Sequence, residues 1–146
     1  MANELEETQI PEIWETYDDK KLPISDLKHK YFRIAKSKFI HHPPVVILNR
    51  DKKWPIEISR RVISEWRIKS RTRERILSIQ LLDIMLEGAM FLKSTEDTKN
   101  TPGIKSVSYF ENNCRINGKF FKINITIKNQ ESLNRKFAYY YTATEY

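Results

Sequence analysis

The dipeptide Asn117-Gly118 joins two stretches of alternating residues and constrains the fold more than any other feature of the chain. A two-residue hairpin turn needs positive φ, which Asn and Gly accept at the least cost. Upstream, Val107-Ser108-Tyr109-Phe110 opens a strand that runs toward Ile116. Downstream, Phe121, Ile123, Ile125 and Ile127 alternate with Lys122, Asn124, Thr126 and Lys128. A strand with that period has one apolar and one polar face. Residues 129–134 read as a turn, and Lys136 to Thr144 as a closing strand. Together these predict a three-stranded antiparallel meander.

The first half reads differently. Ser25 and Asp26 can cap a helix that begins near Leu27, with Leu27, Tyr31, Ile34 and Ala35 as its apolar stripe. It should stop before His41-His42-Pro43-Pro44, because a residue preceding proline avoids helical angles. The continuous apolar run Val45 to Leu48 predicts a buried strand, and Trp54 to Ser59 a second that pairs with it as a hairpin. Ser59 then suits the N-cap of a helix from Arg60 to about Ile68. Residues 71–92 carry the strongest helical period, through Ile76, Ile79, Leu82 and Leu86, with Gly88 near its end. Ser94 to Gly103 reads as a polar loop.

The expected fold class is α+β. N-terminal helices and a small hairpin pack on one face of a C-terminal three- to four-stranded antiparallel meander. Residues 24–146 form one domain of this kind. Residues 1–23 are an acidic leader, in which Ile10, Ile13, Trp14 and Tyr17 have the spacing of one helix face. The leader is expected to dock as a short helix, or to cover a basic surface.

Charge supplies the second constraint. There are 26 Lys and Arg against 19 Asp and Glu, for a net +7. Residues 1–19 hold seven acids and no Lys or Arg, whereas residues 20–75 hold 17 bases against five acids, or +12. Residues 76–146 hold nine against seven. No apolar run is long enough for a transmembrane helix, and the N-terminus lacks the basic-then-apolar order of a signal peptide. The single cysteine, Cys114, cannot form an internal disulfide, so a cytoplasmic setting is expected, in a host or recipient cell. No GxxxxGK[ST] or GxGxxG loop occurs. The three histidines, His29, His41 and His42, have no metal-site spacing, and no metal or cofactor is expected.

Seven basic residues, Arg60, Arg61, Arg67, Lys69, Arg71, Arg73 and Arg75, cluster within sixteen positions around Trp66. Such clusters attract phosphate backbones by charge and counterion release, and arginine suits bidentate phosphate contact. A solvated helix face is the plainer explanation. Phosphate is expected at Lys53, Arg61, Arg67, Lys69, Arg71 and Arg73. Nucleic acid is the simplest partner, RNA ahead of DNA, and an acidic immunity or antitoxin protein would satisfy the same field. In the closing strand Tyr139, Tyr141, Ala143 and Glu145 share one face, and Tyr140, Thr142 and Thr144 the other. One face must be core, and the other would offer hydroxyls and rings.

A family likeness runs over about residues 45–145. Its elements are Val45-Val46-Ile47-Leu48, Ile56-Glu57-Ile58-Ser59, Val62-Ile63-Ser64-Glu65 and the helix Ile79 to Ala89. Tyr109-Phe110, Ile116-Asn117-Gly118-Lys119-Phe120-Phe121 and Tyr139 to Glu145 complete it. This succession resembles small phage and mobile-element domains of the barnase/EndoU/colicin/RelE-like nuclease superfamily. The resemblance implies a toxin-like, metal-independent endoribonuclease, in which a 2′-hydroxyl attacks the adjacent phosphate. It implies catalytic positions at Arg60 and Ser64 near the helix entrance, Tyr109 in the first meander strand, and Tyr141, Thr142 and Thr144 in the last. Tyr139 to Tyr146 contains no histidine, unlike relatives with one in that strand. Proton transfer would then fall to Arg, Lys or Tyr, or the domain binds RNA without cutting it. Two other readings stay open: a non-catalytic nucleic-acid-binding module, and a basic protein that docks an acidic partner.

Overall fold

The computed structural model describes residues 10–96, 103–130 and 135–146. Glu4, Glu6 and Glu7, most of the loop expected at 94–103 and most of the turn expected at 129–134 lie outside them. The hairpin forms as the dipeptide dictates. Asn117 has φ 52° and Gly118 φ 80°, joining β5 (Ile104–Ile116) to β6 (Lys119–Gln130). β7 (Lys136–Glu145) pairs antiparallel with β6.

This meander is part of a larger sheet, which corrects the expected three to four antiparallel strands. The sheet has seven strands, is mixed, and curls into a half-barrel. β3 (Pro55–Ile58) lies parallel to β7, and β2 (Val46–Leu48) pairs antiparallel with β3. On the far side of the sheet, β1 (Glu12–Ile13) runs parallel to the end of β5, and β4 (Met90–Glu96) pairs antiparallel with its beginning. The strands missing from the expectation lie beside β5, and their side chains are largely exposed. With little burial, such strands show no apolar alternation. β2 is not buried as its apolar run predicts: Val46 and Leu48 are each more than half exposed, because β2 is a sheet edge.

The sheet's core face carries Ile56, Ile58, Phe110, Cys114, Ile123, Ile125, Ile127, Ala138 and Tyr141, all buried. Helix α2 (Ile24–Phe39) adds Leu27, Tyr31, Ala35 and Phe39, one residue per turn. Helix α3 (Arg60–Lys69) adds Val62, Ile63 and Trp66. The single helix expected over 71–92 is instead α4 (Arg73–Ser78), a 3-10 turn (Ile79–Leu81) and α5 (Leu82–Gly88), followed by β4. Ser78 Oγ donates to the Arg75 carbonyl at 2.6 Å, and the Ser78 carbonyl accepts from Tyr141 Oη at 3.0 Å. Serine back-bonding of this kind bends helices, and here it coincides with the break.

The helix expected from Ile10 to Tyr17 does not form. Ile13 sits in β1, Trp14 and Tyr17 are largely exposed, and only α1 (Tyr17–Lys20) is helical. The hairpin organises this segment. Asn117 N–H donates to the Ile13 carbonyl at 3.0 Å, and Asn117 Oδ1 accepts from Glu15 N–H at 2.7 Å. The Trp14 ring lies over Gly118, where an added Cβ would meet it at 3.2 Å.

Candidate nucleic-acid interface

Helix α3 sorts its outward side chains into two rows, since positions three and four apart share a helix face. Arg60, Ser64 and Arg67 form one row, and Arg61, Glu65 and Lys69 the other. The buried Val62, Ile63 and Trp66 anchor the helix, and the Trp66 indole N–H donates to the Arg75 carbonyl at 3.1 Å. Ser59 stands at the N-cap position without capping: its hydroxyl donates to the Ala138 carbonyl, tying the start of α3 to β7.

The first row faces α2. Lys28, Phe32, Ser64, Arg67 and Ile68 line a cavity of about 460 Å³. A smaller one of about 130 Å³ shares Phe32 and Ser64 and adds Lys36, Ile40, Arg60 and Ile63. They form one groove between the two helices. Its floor is Phe32, whose ring lies 4.1 Å from the Arg67 guanidinium and 5.7 Å from Lys36 Nζ. No acidic residue lines the groove, and Lys28, Lys36, Arg60 and Arg67 have no ion pair among the described residues. Elsewhere Lys30, Lys38, Arg50, Arg61, Arg73 and Arg135 are each paired with a carboxylate.

The second row faces the sheet. Arg61, Glu65 and Lys69 border a cavity of about 440 Å³ that Tyr109, Thr126, Lys128, Tyr139 and Tyr140 also line. Arg61 pairs with Glu65 at 3.0 Å. The β6–β7 register shifts here: Thr126 faces Tyr140 and Ile127 faces Ala138, leaving Tyr139 as an extra, bulged residue. A bulge of this kind re-aims the strand's side chains. Tyr139 and Tyr140 therefore both reach the cavity, and the simple alternation expected along β7 fails at Tyr139, which does not share the core face with Tyr141.

Sequence-expected site residues thus fall in several places. Arg60, Ser64 and Arg67 meet in the α2–α3 groove. Arg61, Lys69 and Tyr109 meet in the sheet cavity. Arg73 faces inward, with Nε 2.8 Å from Glu15 and its terminal nitrogens donating to the Leu22 and Asp19 carbonyls. Tyr141 is in the core, and burial pushes its phenol far above its ordinary pKa. Thr142 and Thr144 lie opposite Asn124 and Lys122 on β6. Arg71 and Lys53 are exposed, and Lys53 sits at φ 59° in the β2–β3 turn. Cys114 is fully buried, with its thiol pushed up to about 12. The expected site residues did not include Lys28, Phe32 and Lys36 on α2 or Thr126 and Lys128 on β6, because a basic helix face and a polar strand face look alike whether or not they border a groove. Lysines four residues before and four residues after Phe32 were the available signal in α2.

The fold and these two surfaces define a mixed half-barrel sheet with packed helices, in which helix α3 separates a cationic groove from a tyrosine-lined cavity. The chain belongs to the large polyvalent protein-associated domain 3 family, whose model matches residues 24–140. That is a phage-associated setting, and no nuclease superfamily accompanies it. No curated protein and no solved structure matches the chain. Among the described residues, no helix is long and apolar enough to cross a membrane.

Proposed function

We propose that this domain binds nucleic acid through the phosphate backbone, using the α2–α3 groove. The observation that carries this reading is the set of four cations, Lys28, Lys36, Arg60 and Arg67, that line one groove with no acidic lining residue and no ion pair among the described residues. A solvated charged face more commonly mixes both signs, as the paired residues elsewhere on this protein do. Unpaired cations keep their attraction for phosphate, and each one engaged releases condensed counterions. Arg67 lies over Phe32, which holds its planar fork in place for bidentate contact.

Binding without turnover is the favoured form. The positions implied for cleavage do not converge: Arg60 and Ser64 lie in the groove, Tyr109 in the sheet cavity and Tyr141 in the core. A proton-transfer group must come within hydrogen-bond reach of its target. The test is incubation of the full chain with labelled RNA in chelator at low salt. Retardation of intact RNA is expected. Shortened RNA with 2′,3′-cyclic ends would restore the endoribonuclease. Absence of any retardation, with capture of an acidic protein instead, would replace nucleic acid by a protein partner.

A further inference from the structure

We propose that the cavity on the sheet is a slot for one unpaired nucleobase, so that the ligand of the adjacent groove is a single strand. This inference rests on the phosphate-binding reading of the α2–α3 groove. Tyr109, Thr126 and Tyr140 are direct partners across β5, β6 and β7, and so form one row on one face. Neighbouring strands are about 4.8 Å apart, which sets the two tyrosine backbones roughly 10 Å from each other. Between them Thr126 is short and makes a low floor. Stacked rings need centroid spacings of about 4.5 Å or more, so the gap between the two tyrosines takes one planar ring.

The rim is built for an anionic group attached to that ring. Lys128 follows Thr126 by two positions and faces the same way, with Nζ 4.5 Å from the Tyr139 ring. The Arg61 guanidinium lies 5.2 Å from the same ring. Tyr139, the bulged residue, thus gathers two cations beside the slot, with Lys128 buried beneath its ring. Lys69 adds a third, and Glu96 supplies an acceptor for a base edge, while Glu65 holds the Arg61 guanidinium in place. A base inside a duplex is stacked on its neighbours and would have to be extruded first, whereas an unpaired base enters directly. The two rows of α3 then divide the work. Arg60 and Arg67 hold the backbone, while Arg61 and Lys69 lead one base over the helix to the slot.

The test compares a single-stranded RNA oligonucleotide with a duplex of the same length and sequence, bound to the full chain. Tyr140→Ala removes a wall, and Thr126→Ile raises the floor with a residue that strands favour. Both should weaken single-strand binding about tenfold or more, the usual effect of one lost stacking contact, and leave duplex binding unchanged. Tyr140→Phe keeps the ring and should bind as the native chain does. Unchanged single-strand affinity in Tyr140→Ala and Thr126→Ile, or equal loss on both ligands, overturns the slot. If the native chain binds neither polymer, the groove reading fails separately. The slot is then judged by titration with uridine and adenosine 5′-monophosphates. Shifts of the Tyr109 and Tyr140 ring resonances uphold it, and their absence overturns it.

Discussion

Arg73 holds the N-terminal segment through Glu15: its Nε lies 2.8 Å from a carboxylate that is only 6% exposed. The same guanidinium also takes the Leu22 carbonyl at 2.8 Å and the Asp19 carbonyl at 2.6 Å. Three donors of a fixed fork are thus spent on residues 15–22. Arg73→Ala should cost about 2 kcal/mol, since it leaves a nearly buried carboxylate without its charged donor. Urea denaturation would show a lower midpoint, and RNA affinity should not change. An unaltered midpoint would mean the fork is not holding the segment.

The segment's described hydrogen bonds and ion pairs reach Leu27, Lys30, Tyr31, Arg73, Arg115 and Asn117, and its Trp14 ring meets Gly118; none of these lines the α2–α3 groove. Removing residues 1–23 should therefore lower thermal stability without strengthening RNA binding. A tighter complex after truncation would instead show that acidic residues shield the groove.

Asp19 gives the fold an acid limit. Burial by itself would raise its carboxyl, but hydrogen bonds from Lys30, Tyr31 and Thr16, with the Lys30 charge, hold it below the ordinary value of 3.8. The folded value lies under the unfolded one, so the stabilisation is full above the ordinary value. It is lost as pH falls through the folded value. Glu57, whose two carboxylate oxygens accept from Nε and Nη2 of Arg135 at 2.6 Å each, adds a loss of the same sign. Denaturation midpoints measured from pH 6 to pH 2.5 should fall less steeply for Asp19→Asn than for the native chain. Parallel curves would remove Asp19 from this account.

Gly118 meets two demands at once, with φ 80° and the Trp14 ring where a side chain would stand. Gly118→Ala should cost about 1–2 kcal/mol for the left-handed backbone alone. It should also shift the Trp14 indole signal in a proton–nitrogen spectrum. A stability change below 0.5 kcal/mol, taken as roughly the scale of ordinary surface substitutions, would contradict this.

The hairpin was legible because one dipeptide dictates its backbone, and β6 because alternate residues are buried. The extra strands were not. β4 reads Lys93-Ser94-Thr95-Glu96 after Leu92, and an exposed strand beside β5 leaves no period in its sequence. The charge cluster was visible, but its division was not. Sequence shows that Arg60, Arg61, Arg67 and Arg73 are close together. Only packing shows that Arg60 and Arg67 face α2, Arg61 faces β7, and Arg73 turns inward. Tyr141 illustrates the reverse case. Strict alternation puts Tyr139 and Tyr141 on one face, but the bulge at Tyr139 leaves Tyr141 in the core and brings Tyr139 to the cavity beside Tyr140.

The most direct test of the central claim is the salt dependence of RNA binding. If the four groove cations each engage a phosphate, the logarithm of affinity should fall with the logarithm of salt with a slope of about −3 for a single strand. Arg60→Ala combined with Arg67→Ala should reduce that slope by roughly 1.4, since each lost phosphate contact removes about 0.7. A slope near zero in the native chain, or an unchanged slope in the double variant, would contradict a phosphate-binding groove between α2 and α3.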